Sequence, residues 1–249
     1  MRGGNQQITD RLTQIIEDQI HLGHCLAAIR EGLHGYRLTF ERAGQGHVEV
    51  QADFVLLTLP FTLLREVDIQ AALPPVKRRT ISELGYGTNA KLILGFQSRF
   101  WRAQGYNGDF FTDEPFQSGW DSSRLQAGAA GSLTLFLGGT PGIQVGQGAP
   151  YSQAAAFLPG IERLFPGAAA QYTGNAVRFH WPSHPFVKGS YSCWKVGQYT
   201  SIAGAEFEPA GRLFFAGEHT SINYQGYMNG GAETGRRAAR LIRQQVRGR

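Results

Sequence analysis

The sequence predicts an α/β chain with a second, α+β portion set into it. Three observations carry that expectation. The apolar run Arg212-Leu213-Phe214-Phe215-Ala216, bounded by Gly211 and Gly217, is followed by a tight turn and a helix rich in small residues. A continuous apolar run from Asp53 to Leu59, ended by Pro60, has the pattern of a buried central strand. Composition then changes after Leu73-Pro74-Pro75, which divides the chain into segments 1–78, 79–183 and 184–249.

The elements follow in order. Ile8, Leu12, Ile15, Ile16 and Ile20 predict a helix from about Thr9 to His21, capped by Thr9 or Asp10 and stopped at Gly23. Cys25 to Ile29 reads as a strand, and Tyr36–Phe40 and His47–Val50 as a hairpin around Ala43-Gly44-Gln45-Gly46. Past the diproline break, Ala90 to Phe96 is an apolar strand carrying one lysine, Lys91. Residues 103–131 read as loops and short strands, Ser132–Gly138 as a strand and Gly139–Pro150 as a loop. Tyr151–Phe165 is a helix with Ala155, Leu158, Ile161, Leu164 and Phe165 inward, kinked or split by Pro159. Ala176–Trp181 is a further strand. In the last helix Met228, Ala232, Gly235, Ala239, Ile242 and Val246 share one face, with arginines on the others.

Length and composition exclude several classes. At 249 residues there is ample core for one large domain or two small ones. No apolar run approaches the ~18 residues of a membrane helix. The polar start MRGGNQQITD lacks the apolar centre of a signal peptide. Two cysteines, Cys25 and Cys193, make no disulfide framework, so a reducing cytoplasm is expected. The net charge of +5 comes from residues 236–249, which hold six arginines and no acid. Without them the balance is near neutral, which argues against a nucleic-acid surface.

The chemistry gathers between Arg212 and Ile242. A strand, a Gly-rich turn and a helix opening with small residues offer unpaired N–H groups and the positive end of a helix dipole to an electron-rich ligand. Glycine at Gly217 and Gly226 lets backbone approach that ligand. The Glu218 carboxylate, an acceptor only, suits a sugar hydroxyl.

The wording of the stretch goes further. F-F-A-G-E-H-T-S and G-Y-M-N-G-G-A-E-T-G-R-R-A-A-R resemble the C-terminal flavin-binding signature of the flavin-containing amine oxidases, which include monoamine, polyamine and L-amino-acid oxidases. The resemblance implies a partial FAD-binding domain of the doubly wound, glutathione-reductase-like kind, with an inserted mixed-sheet substrate domain. It implies that Glu218 meets the ribityl or adenosine side of FAD, that the backbone at Gly226 and Met228 meets the flavin pyrimidine edge, and that Tyr227 stands beside the ring. H-P-F-V-K-G-S-Y-S-C-W places Tyr191 as the other member of an aromatic pair, with Trp194 a less certain neighbour. Lys91, on its strand ahead of Phe100-Trp101, takes the place of the lysine that holds a water against flavin N5. G-G-N-Q, the hairpin and V-L-L-T-L-P resemble the family's middle segment. There Leu26 is either a neighbour of the adenine or plain core, the latter preferred.

The resemblance implies oxidation of an amine or amino acid by hydride transfer to FAD, with O2 reduced to H2O2. Some monoamine oxidases attach the flavin through a cysteine just before the first cage aromatic. Ser190 stands there, and Cys193 is out of register, so FAD is expected to be non-covalent. The family's opening strand with G-x-G-x-x-G is absent, and Gly85-Tyr86-Gly87-Thr88-Asn89-Ala90 precedes a strand rather than a helix. The chain is therefore expected to start within a domain, to bind FAD weakly or not at all by itself, and to be inactive alone. A second chain carrying the missing motif, or self-association, is expected to cover a sheet left bare near Asp53–Pro60 or Arg212–Ala216. The alternatives are a non-catalytic remnant serving as a binding or scaffold protein, and a fragment of another FAD oxidase or desaturase.

Overall fold

The computed structural model describes residues 4–248. They form two compact units: Gly87–Ser190 is continuous, and the chain up to Tyr86 joins Tyr191 onward in the other, called here the split unit. The seams thus fall later than the 78/79 and 183/184 read from the sequence. Ile81 and Leu84 belong to the core of the split unit, which keeps the chain there through Tyr86. At the far seam, the Ser190 N–H donates to the Gly87 carbonyl at 2.8 Å and its hydroxyl to Asn89 Oδ1 at 2.8 Å, which holds residues up to Ser190 in the continuous unit.

The split unit opens with helix α1 (Gln6–Ile15), shorter than expected and starting earlier. None of its residues is buried, and its apolar stripe of Ile8, Leu12, Ile15 and Ile16 is exposed. Strands β1 (Cys25–Gly32), β2 (Gly35–Arg42) and β3 (Gly46–Ala52) form an antiparallel meander. The buried run shortens to β4 (Val55–Leu57), followed by the turn of helix α2 (Phe61–Leu64) and by β5 (Asp68–Gln70), which adds in parallel to β1. The sheet order is β3-β2-β1-β5, a mixed sheet.

The Pro74-Pro75 break starts a helix, α3 (Pro75–Glu83), rather than a linker. Proline suits the first helical position, where its missing N–H would have had no acceptor. At the other end Arg65 donates to the carbonyls of Ile81 (2.8 Å) and Leu84 (2.6 Å).

The continuous unit holds β6 (Ala90–Phe96), α4 (Phe100–Ala103), β7 (Phe110–Phe111), β8 (Ser118–Asp121), β9 (Gly131–Leu137), α5 (Gly139–Gln144), α6 (Pro150–Leu164), α7 (Ala168–Gln171) and β10 (Tyr172–His180). Its sheet runs β10-β6-β9-β8-β7 with every named strand pair antiparallel, so the mixed sheet expected here narrows to an antiparallel one. Ala90, Leu92, Leu94 and Phe96 alternate into a core shared with Leu133, Leu135 and Trp101.

Two departures have local causes. The segment expected as a Gly/Pro loop makes α5, since Pro141 falls in the first turn, where an N–H is not needed. Helix α6 runs unbroken through Pro159. Pro159 and Ala155, whose carbonyl loses its donor, are both exposed, so solvent can reach that carbonyl. Ala154, not Ala155, faces inward, with Ile161 and Phe165.

The split unit resumes with α8 (Gln198–Ile202), β11 (Leu213–Phe215) and α9 (Met228–Arg247). Strand β11 pairs in parallel with β4. Both strands are largely buried, so the bare sheet expected there is not found. Helix α9 buries Gly230, Thr234 and Ala238, a stripe different from the one its apolar residues suggest. Met228 and Val246 are 54% and 53% exposed, and Ala232 and Ala239 are exposed too. Close approach decided the face: a Cβ on Gly230 would lie 2.3 Å from the Tyr224 carbonyl oxygen. Among the described residues no helix is long and apolar enough to cross a membrane.

That seating gives an expectation of opposite signs one residue apart. Gly230→Ala should destabilise the chain by about 1–3 kcal/mol through overpacking against backbone. Gly231→Ala, whose Cβ meets nothing within 4 Å, should stabilise it by up to about 1 kcal/mol through helix propensity. Denaturant unfolding of both variants checks the pair; equal effects would contradict the close seating.

Candidate functional site

Strand β11 delivers the chain to a turn held by helix α9. The Thr234 hydroxyl, fully buried, accepts from the Gly217 N–H at 3.0 Å and lies 2.7 Å from the Gly230 carbonyl, its bond acceptor one turn back. Gly217 has φ +136°, and a Cβ there would strike the His219 ring at 2.6 Å. Arg237 Nη2 donates to the Thr220 carbonyl at 2.9 Å, with its guanidinium over the Phe207 ring. The turn is therefore tied to the helix at both ends.

Glu218 points from this turn into two other segments. Its Oε1 accepts from the Ser192 N–H at 2.9 Å. Its Oε2 accepts from the Ser192 hydroxyl at 2.9 Å and from the Gly226 N–H at 2.6 Å. Gln225 Nε2 in turn donates to the Ser192 hydroxyl at 3.0 Å. A Cβ built on Gly226 would be in ordinary contact, 3.6 Å, with the Tyr191 ring. The structure thus brings Gly217, Glu218, Gly226, Tyr191 and the start of α9 at Tyr227-Met228 together.

Tyr227 and Met228 are exposed, and Tyr191 is partly so. Tyr227 is the N-cap of the twenty-residue α9, whose first amides have no acceptor within the helix. Leu26 sits on β1 opposite Phe40 and packs against the core of the split unit.

Lys91 lies in the continuous unit. It occupies the face of β6 opposite the core, with its ammonium 5.6 Å from the centre of the Trp120 ring. Register places Ile93, Trp120, Phe136, Val177 and Phe179 on that same face. Val177 and Phe179 are about half exposed. Trp120, Phe136 and Phe179 were not picked out from sequence, although each sits at an alternate position of a strand. Ser192, Gln225 and Thr234 were missed as well, because single polar residues in a turn or helix carry no spacing signal.

Behind the turn lies a buried polar cluster. The His219 ring packs edge-on to Phe61 at 4.5 Å, and its Nε2 has no hydrogen-bond partner among the described residues. Burial, reinforced by the nearby Lys77, pulls its pKa down to about 4. Lys77 is itself buried; its ammonium lies over the Phe215 ring at 3.9 Å and donates to the Glu206 carbonyl at 3.0 Å. Burial brings its pKa down to about 7 against the opposing pull of the Glu206 and Glu208 carboxylates. Burial pushes the Glu206 carboxyl up.

A family profile described as flavin containing amine oxidoreductase matches residues 1–243. Flavin-containing amine oxidase A of Equus caballus is 24% identical over 96% of this chain and 45% of its own length. Polyamine oxidase 1 of Zea mays is 24% identical over 94% of this chain and 47% of its own. The solved structure of cyclohexylamine oxidase from Brevibacterium oxydans superposes with a TM-score of 0.86 at 23% identity, covering 98% of this chain and 53% of that one. The chain spans about half the length of these relatives.

The depressed His219 pKa makes a stability expectation. Between about pH 6.5 and about 4 the unfolded imidazole binds a proton that the folded one refuses, so this group's contribution falls as pH falls through that window. His219→Gln should remove it, and the stability difference between the two proteins should change by up to about 3 kcal/mol across the window. Urea unfolding at stepped pH measures this. Parallel curves would contradict the burial of a neutral imidazole.

Proposed function

The chain belongs to the flavin containing amine oxidoreductase family, and from that premise we propose that it forms the flavin-ring and substrate-facing part of an FAD-dependent amine oxidase. The observation that carries this reading is the clustering of Gly217, Glu218, Gly226 and the free amides of the α9 start beside Tyr191 and Tyr227. Those donors suit the electron-rich pyrimidine edge of a flavin, and the Glu218 carboxylate suits a hydroxyl of its side chain. FAD, when bound, supplies the two-electron acceptor for oxidation of the carbon bearing the amine nitrogen and passes those electrons to O2, giving H2O2 and an imine that hydrolyses.

Each residue has a part. The Met228 N–H holds the flavin edge, and Gly226, whose own N–H is taken by Glu218, lets the backbone come close to it. Tyr191 and Tyr227 hold the amine by its apolar stem. Lys91, with three donors and no acceptor, orients a water at the reacting end. At the position where the family's thioether cysteine would stand this chain has Ser190, and burial pushes the half-buried Cys193 thiol up. FAD is therefore non-covalent.

The face around Lys91 favours a substrate class. Ile93, Trp120, Phe136, Val177 and Phe179 share that face with the hydroxyls of Ser118, Ser132 and Thr134, and Lys91 carries the only charge among its paired positions. Among the paired positions of that face there is no carboxylate for a diamine's distal ammonium and no arginine fork for an amino acid's carboxylate. A monoamine with an apolar body fits best.

Ile8, Leu12 and Ile15 on α1 and Met228 and Val246 on α9 leave apolar side chains exposed, a surface that further polypeptide would cover. The competing reading is a non-catalytic binding protein. Purification of the chain alone and co-expressed with neighbouring gene products, followed by flavin absorbance, separates the two. The chain alone should not saturate with micromolar FAD and should self-associate in size exclusion with light scattering. The assembly should be yellow, release its flavin on acid precipitation, and make peroxide from cyclohexylamine or benzylamine at a kcat/KM at least about tenfold that for putrescine or leucine. A colourless assembly that makes no peroxide would favour the binding protein. A well-behaved monomer binding FAD tightly would remove the need for a partner.

A further inference from the structure

We infer that Glu218 is also the positioning residue of the aromatic pair, fixing Tyr191 and Tyr227 relative to each other through Ser192 and Gly226. The purpose assigned to the pair rests on the function proposed above; the geometry does not.

The argument begins with what the carboxylate holds. An ionised carboxylate accepts at about four lone-pair positions. Three are taken: the Ser192 N–H on Oε1, and the Ser192 hydroxyl and Gly226 N–H on Oε2. These donors come from two segments far apart in sequence, and each is the immediate neighbour of a tyrosine. Ser192 follows Tyr191, and Gly226 precedes Tyr227. Ser192 is buried and is itself anchored on its other side, where its segment bridges to Tyr86 and the Cys193 N–H donates to the Gly85 carbonyl at 2.9 Å. Gln225 adds a further link between the two segments through the Ser192 hydroxyl.

The Tyr191 ring completes the arrangement by lying against Gly226. A shift of Gly226 away from Glu218 would therefore take Tyr227 with it and remove the surface beneath Tyr191. Bonds to a charged acceptor are stronger than neutral ones, so one side chain supplies most of the restraint. An aromatic pair places a substrate usefully only if its spacing is set before the substrate arrives.

A second consequence follows from the same count. With three of about four positions used, Glu218 has about one left, on Oε1, for a ligand hydroxyl. A hydroxyl bound there would be coupled to the position of both tyrosines.

The test uses the flavin-free full chain carrying 3-fluorotyrosine, with the Tyr191 and Tyr227 fluorine resonances assigned by Tyr→Phe variants. Tyr36, buried in the core of the split unit, reports on the fold. Glu218→Gln keeps the shape but turns an N–H donor toward N–H donors. Ser192→Ala removes the hydroxyl's bond to Glu218 and the Gln225 bond to that hydroxyl, and leaves the carboxylate in place. In both variants the Tyr191 and Tyr227 resonances should move together while Tyr36 stays, and the Gly226 amide should exchange at least about tenfold faster. Unmoved Tyr191 and Tyr227 resonances would overturn the inference. Movement of Tyr36 in both variants would also overturn it, by showing that Glu218 supports the whole fold. Because no flavin is present, failure here leaves the flavin reading standing, and a colourless assembly would leave this result standing.

Discussion

The seat of α9 against the Gly217 turn is the contact on which the site depends. Thr234 makes it. Its hydroxyl takes the Gly217 N–H and turns its own proton back into the helix, so one buried group satisfies backbone on two elements. Such a contact needs small residues on either side, and Gly230 and Ala238 supply them. A bulkier stripe would lift the helix off the turn. Glu218 would then lose its reach to Ser192 and Gly226, and the first amides of α9 would point elsewhere.

This reliance on close approach explains what was and was not legible in the sequence. Strands announced themselves: Ala90–Phe96 alternates as its burial does, and the hairpin turns near Gly44 as its glycines suggest. The order of residues in the last forty positions was enough for the strand, the turn and the helix start. The face of α9 was legible only in part, because hydrophobic periodicity selected Met228, Ala232, Gly235, Ala239, Ile242 and Val246, of which Ile242 packs against Phe214 and Ala216 while Met228, Ala232, Ala239 and Val246 are exposed. In the first part of the helix the packing selected Gly230, Thr234 and Ala238 for smallness and for one hydroxyl. Prolines misled for a related reason. Pro75, Pro141 and Pro159 each fall where a missing N–H costs little, at a helix start or on a wet flank. The seams moved because Ile81 and Leu84 are core residues whose neighbours are distant in sequence.

Within the site, motif residues and supporting residues separate cleanly. Gly217, Glu218, Gly226, Tyr227 and Met228 could be named from the order of residues alone. Ser192, Gln225 and Thr234, which hold them, could not, since each matters only through a contact the fold creates. The same is true of the aromatic face around Lys91, which exists only once four strands are in register. Behind the turn, His219 and Lys77 show what dense packing there costs, each held below its ordinary pKa by burial.

The central claim is that the β11 turn and the start of α9 form the flavin end of the site. The most direct measurement is an amide chemical-shift titration of the isotopically labelled chain with FAD at millimolar concentration, where even weak binding registers. The account predicts fast-exchange shifts concentrated at Gly217–Thr220 and at Gly226–Asn229, with the β1–β2 hairpin unmoved. Shifts centred elsewhere, or none at those residues, would contradict it.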